Sequence, residues 1–175
     1  MTQLHQIQLT YVPIEDRALL RISTDDGCEY RFWITRRYAK LLWPALTRSL
    51  QSEGNVITQK EPGAKSALLA FQHEAAIASS DFKTEFKSAK LQTPLGDEPI
   101  LLVRIHSRRL GDNLTLLAMH PEHGQGLELN INNQLLHSLT KLLRDAANAG
   151  EWQLTNVIGI DPGSCEDATQ SRGRH

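Results

Sequence analysis

Twice in this chain, three short runs of period two give way to one run of helical period, and the second set follows the first at a distance of 97 positions. Side chains alternate between the two faces of a strand but return to one face of a helix every three to four residues, so the switch fixes element type before any tertiary argument. In the first set, residues 6–12 turn Ile7, Leu9 and Tyr11 inward, and Pro13 ends the run. Residues 17–24 place Ala18, Leu20 and Ile22 on one face, and Asp25-Asp26-Gly27 supplies a turn. Residues 29–35 turn Tyr30, Phe32 and Ile34 inward and Glu29, Arg31 and Trp33 outward. These runs predict an antiparallel meander. From Thr35, an N-cap residue type, Tyr38, Leu41, Leu42, Ala45, Leu46 and Leu50 recur at helical spacing. Pro44 removes a backbone donor and clashes one turn back at a cost of roughly 3 kcal/mol, which predicts a kink or a restart there.

The second set repeats the plan. Residues 100–106, 113–120 and 126–132 are strand-like, and a helix bearing Leu135, Leu136, Leu139, Leu142, Leu143 and Ala146 follows Asn132 or Asn133 and closes at Gly150. At the 97-residue shift Leu20 meets Leu117, Gly27 meets Gly124, Phe32 meets Leu129 and Leu42 meets Leu139. The match lies in hydrophobic pattern and turn position, and divergent duplication or independent adoption of one plan would each account for it. Between the sets, residues 52–63 read as a loop with an extended piece at 55–58, residues 64–79 as an Ala-rich helix, and residues 81–99 as a polar connector broken by Pro94, Gly96 and Pro99. Residues 154–160 suggest a last short strand, and 161–175 have the composition of a flexible tail. The expected fold is α+β: two pseudo-repeated antiparallel three-stranded meander plus helix units, at about 5–51 and 100–150, with an extra helix in the connector 52–99, forming one domain over 1–160.

Composition narrows the function classes. At 175 residues the chain has room for one core, and 19 Lys and Arg against 20 Asp and Glu give a net charge of -1, with no bulk attraction to nucleic acid or anionic lipid. No apolar run reaches the roughly 18 residues that span a bilayer, and the polar start MTQLHQIQLT lacks signal-peptide order, so a cytoplasmic location with no membrane partner is expected. Two cysteines, Cys28 and Cys165, are too few for a disulfide framework or a paired-cysteine metal site.

The stretch Glu29-Tyr-Arg-Phe-Trp-Ile-Thr-Arg-Arg-Tyr38, continuing through Leu41-Leu42-Trp43-Pro44, resembles a small family of uncharacterised proteobacterial proteins, as do Phe71-Gln-His-Glu-Ala75 and Leu95-Gly-Asp-Glu-Pro99. The resemblance covers about a quarter of the chain; it implies a bacterial cytosolic origin and no activity. In topology alone the duplicated plan also resembles single-stranded nucleic-acid binders of the Whirly and Pur-alpha type.

The sharpest aromatic and basic cluster is Arg21, Arg31, Trp33, Arg36 and Arg37. Alternation puts the first three on the sheet face opposite Phe32, where Trp33 would stack a base and the arginines neutralise phosphates. The competing expectation is that Trp33 packs under the other half or a symmetry mate with Arg31 stacked on it. His120, Glu122 and His123 form a loop of metal-ligand types that His106 and Glu128 would approach across the strands; solvated histidines in a polar hairpin are the commoner outcome. Arg104, His106, Arg108 and Arg109 are a second basic stretch, read as a guarded strand edge or an anion or acidic-partner site. Cys28 has no adjacent base to activate it, and no Gly-x-Ser-x-Gly, phosphate-cradling loop or HExxH occurs. No cofactor is implied. The expectation is a non-enzymatic protein-binding or assembly module, with single-stranded nucleic-acid binding as the alternative and a homodimer as one way to cover Leu19, Trp33 and Leu116.

Overall fold

A computed structural model describes residues 4–87 and 91–154. The fold is α+β. Strands β1 (Leu4–Val12), β2 (Arg17–Thr24) and β3 (Glu29–Ile34) form an antiparallel meander, followed by helices α1 (Arg36–Gln51), α2 (Gly54–Ile57) and α3 (Pro62–Ala78). Strand β4 (Ile100–Leu101) then adds in parallel to β3, completing a sheet of order β1-β2-β3-β4. Strands β5 (Arg104–Gly111), β6 (Leu114–His120) and β7 (Leu127–Asn132) form a second sheet, and α4 (Asn133–Ala149) follows.

The two meanders keep the same register at the 97-residue shift. Leu20 pairs with Phe32 as Leu117 pairs with Leu129, and Ala18 pairs with Ile34 as Thr115 pairs with Ile131. Both turns place a glycine in the left-handed region, Gly27 at φ 79° and Gly124 at φ 89°, where an L side chain is strained. Both helices open on a side-chain cap: Thr35 accepts from Tyr38 N and Asn132 from Leu135 N, each supplying an acceptor to an otherwise unpaired first-turn donor.

The inward faces meet in one apolar cluster. Leu20 and Ile22 of β2, Leu117 and Met119 of β6, and Leu129 and Ile131 of β7 line a single small void with Leu135 and Leu139 of α4. The helices cross over: α1 lies along β5, and α4 lies along β1 while packing on α1 and α3.

Three local expectations are corrected. Of the kink or restart expected at Pro44 the restart is absent: α1 runs as one helix because it buries Tyr38, Leu42, Trp43, Leu46 and Leu50, and burial at roughly 1.5–3 kcal/mol for each large apolar side chain exceeds the proline penalty. Thr47 Oγ1 and Arg48 Nε donate to the Trp43 and Pro44 carbonyls, each at 3.0 Å. Residues 55–58 are not extended; α2 occupies most of them, with the Val56 and Ile57 amides donating to the Glu53 carbonyl at 2.9 Å. The run 100–106 is not one strand but two, since Leu102 N bonds to Trp33 O in the first sheet while Val103 N bonds to His120 O in the second. The strand expected at 154–160 lies outside the described residues beyond Leu154, as does the expected tail.

Because both halves feed one core, Thr35→Ala and Asn132→Ala are each expected to lower a single cooperative urea transition by about 1 kcal/mol, and the pair by about 2 kcal/mol. Two separate transitions in either variant would contradict a shared core.

Candidate functional site

The outer face of the first sheet brings Arg21 and Arg31 together, directly opposite each other in register. Two like charges so placed repel, and Glu29 resolves the conflict. Arg21 Nε and Arg31 Nε donate to Glu29 Oε1 at 2.9 and 2.8 Å, and Arg31 Nη2 donates to Oε2 at 3.2 Å. Burial pushes the Glu29 carboxyl up, but hydrogen bonds from Arg31 and then Arg21 outweigh it and hold the group below its ordinary range. The connector roofs this face. Phe86 lies 4.2 Å from the Arg21 guanidinium, the Asp97 carbonyl accepts from Arg31 Nη1 at 3.0 Å, and Gln92 bridges to Cys28. Trp33 is half-buried between Leu19 and the β4 residue Leu101. Arg36 and Arg37 stand apart from the trio, exposed on the first turn of α1.

A different basic surface emerges where α1 runs beside β5. α1 contributes Arg36, Arg37, Lys40 and Arg48 and no carboxylate; β5 contributes Arg104, Arg108 and Arg109 and no carboxylate. The strand and helix are aligned at both ends, by Tyr38 Oη on the Arg104 carbonyl at 3.3 Å and by Arg109 Nη1 on the Ser49 carbonyl at 3.4 Å. Arg109 is further held by Asn133 Oδ1 at 2.9 Å and by the Asp112 carbonyl, all uncharged acceptors. Among the described residues none of these seven cations forms an ion pair with a carboxylate. An open groove of about 490 Å³ runs between α1 and β5, lined by Leu41, Pro44, Ala45 and Ile105 and by two of the seven cations, Arg48 and Arg109.

Sequence reasoning missed a buried polar cluster. His73 of α3, His137 of α4 and Glu53 at the start of α2 are each at least nine-tenths buried. His73 Nδ1 lies 3.1 Å from His137 Nδ1, and His137 Nε2 lies 3.3 Å from Glu53 Oε1. The legible signal was the spacing of Leu69 and His73, which puts the imidazole on the buried stripe of α3. Lys141, Arg144 and Asp145 of α4 also face this cluster electrostatically.

The histidine loop does not gather. His120 is half-buried at the end of β6 while Glu122 and His123 are exposed, and among the described residues no three His, Cys, Asp or Glu side chains are placed to hold a metal ion. His106 and Glu128 lie on one outer face but are separated by Ala118 of β6. Desolvation and then the Asp26 carboxylate push the Cys28 thiol up, away from a reactive thiolate. Among the described residues no helix is long and apolar enough to cross a membrane. Comparison of the chain with protein-family models, with curated proteins and with solved structures finds no match.

The buried cluster makes stability pH-dependent. Burial, and then the facing charge of His137, push His73 down to about 4 from an ordinary 6.5. The unfolded chain binds that proton at higher pH than the folded one, so stability is full above 6.5, falls with acidification, and has lost up to about 3 kcal/mol by pH near 4. The Glu29 contribution starts to fall only as pH drops through the ordinary carboxylate range and continues to fall below it, so the upper part of the acid slope, from pH 6.5 to about 5, belongs to His73. Urea denaturation across pH 7 to 4 is expected to show the slope, and His73→Gln to flatten it; equal slopes in both proteins would remove His73 as the cause.

Proposed function

We propose that this chain is a non-enzymatic binding or assembly module that engages a protein partner through the α1–β5 surface. The observation that carries the reading is the concentration of seven cations on two adjacent elements that themselves bear no carboxylate, in a chain whose net charge is -1. Such a surface attracts an acidic partner and steers its approach. The arginines first singled out on the sheet are a weaker candidate, because Arg21 and Arg31 already serve Glu29 and the connector lies over them. A bacterial cytoplasmic setting accords with the low cysteine content and with the resemblance described above.

Single-stranded nucleic acid is the second reading, since phosphates would satisfy the same cations. Against it, among the described residues no Phe, Tyr or Trp lines the groove, whereas strand binders stack bases on such rings.

The two readings part in one titration series with poly-L-glutamate and a labelled mixed-sequence oligonucleotide as probes. Poly-L-glutamate is expected to bind at about 50 mM salt and to lose affinity in Arg48→Glu and Arg108→Glu, with the oligonucleotide bound weakly and Trp33→Ala without effect. Salt-sensitive oligonucleotide binding that Arg48→Glu and Arg108→Glu abolish would instead establish the nucleic-acid reading on this surface, and a loss of roughly 1 to 3 kcal/mol in Trp33→Ala would place it on the first sheet. Light scattering of the free protein separates a second copy from a foreign partner.

A further inference from the structure

The 97-residue correspondence relates two grooves, and among the described residues only one of them is roofed. The groove between α4 and β1 is lined on α4 by Ser138, Lys141, Leu142 and Asp145, which correspond to Leu41, Pro44, Ala45 and Arg48 in the groove between α1 and β5. Over the first groove runs the irregular segment 81–87 of the connector, in which Phe82, Thr84 and Phe86 line the groove. It is fastened to the strand by Gln6 of β1, whose side-chain amide donates to the Glu85 carbonyl at 3.5 Å and accepts from Lys87 N at 3.1 Å. The molecule thus covers one groove with a stretch of its own backbone.

At the second groove β5 pairs, among the described residues, only with β6, so its other side is a strand edge there. The Arg104 carbonyl points to that side, where Tyr38 Oη reaches it. Backbone groups of alternate residues share a direction, so His106 and Arg108 present their N–H and C=O groups to the same edge. Side chains alternate as well: Arg104, His106 and Arg108 are exposed, while Ile105 and Ser107 are half-buried towards α1.

We infer that this edge takes an extended segment of a protein partner as a fourth strand of the second sheet, the segment alternating acidic with apolar residues. The inference rests on the reading of the chain as a protein-binding module. An added strand has its side chains in step with β5, so one set would lie beside Arg104 and Arg108 and favour carboxylates. The other set would lie over Leu41, Pro44 and Ala45 and favour apolar groups.

The probe is a fluorescein-labelled octapeptide of alternating glutamate and valine, compared by anisotropy with an isomer of four glutamates followed by four valines. The alternating peptide is expected to bind about tenfold more tightly, because both present equal charge and only one matches the strand. His106→Pro removes the edge-facing donor while leaving the β6 side intact, a place where strands tolerate proline; it is expected to weaken binding about tenfold, whereas His106→Ala retains it. Amide exchange at His106 and Arg108 in the unaltered protein is expected to slow on saturation with the alternating peptide, which keeps the test open if the proline variant does not fold. Equal binding of the two isomers, unchanged exchange at both amides, or a folded proline variant that binds normally would overturn strand addition. If Arg108→Glu still abolishes binding in that case, the basic surface remains the docking site; if neither these peptides nor poly-L-glutamate binds, the protein-partner reading falls too.

Discussion

Each three-stranded meander in this protein has one apolar face, and the helix that leaves it lies along the first strand of the other meander. α1 starts one residue after β3 and comes to rest beside β5; α4 starts directly after β7 and comes to rest beside β1. The caps at Thr35 and Asn132 make the departure abrupt, since each turns strand backbone into helix within a single residue. Neither unit can bury its own face alone. Leu20, Ile22, Leu117, Met119, Leu129 and Ile131 therefore share one core, and the positions of the two grooves follow from the crossing.

The connector depends on the same arrangement. A polar stretch of chain would gain little by lying on an exposed sheet, but this sheet offers Arg21 and Arg31 held flat by Glu29, whose carboxylate is almost wholly buried. A carboxylate out of water is tolerable only when several charge-assisted hydrogen bonds replace its hydration, and the two guanidiniums supply them. Phe86 and the Asp97 carbonyl then find partners on the arginines, and β4 finds the edge of β3. What resembled a binding face in isolation is largely spent on seating the chain's own connector.

Elements set by local chemistry were legible in the sequence: the alternating strands, the caps, and the paired turn glycines Gly27 and Gly124. The helix Pro62–Ala78 was legible from residue 64 on, because Ala-rich sequence favours that state; Pro62 and Gly63 read as loop, although proline suits a first helical turn. What escaped was set by partners distant in sequence. Nothing local marks Leu102 and Val103 as the point where the chain leaves one sheet for the other; the carbonyls of Trp33 and His120 decide it. Alternation did place Glu29 on the same face as Arg21 and Arg31, so the pairing was within reach once two opposed arginines were seen to require a carboxylate. The His73–His137 contact was not, since it joins residues 64 apart through the packing of α3 on α4.

Guarding a strand edge does not account for the charge on the α1–β5 surface. An edge is blunted by a charge or two on the strand itself, and Arg104 and Arg108 meet that need. Arg36, Arg37, Lys40 and Arg48 lie on the neighbouring helix, where they hinder no strand pairing directly and repel the cations of β5. Helix stability does not call for all four either: a cation is favourable near the C-terminus, as Arg48 is, but Arg36 and Arg37 sit at the N-terminus, where the helix dipole opposes positive charge. The first turn of α1 thus bears charge that weakens its own helix, and a partner carrying carboxylates would relieve both the dipole conflict and the mutual repulsion in one contact.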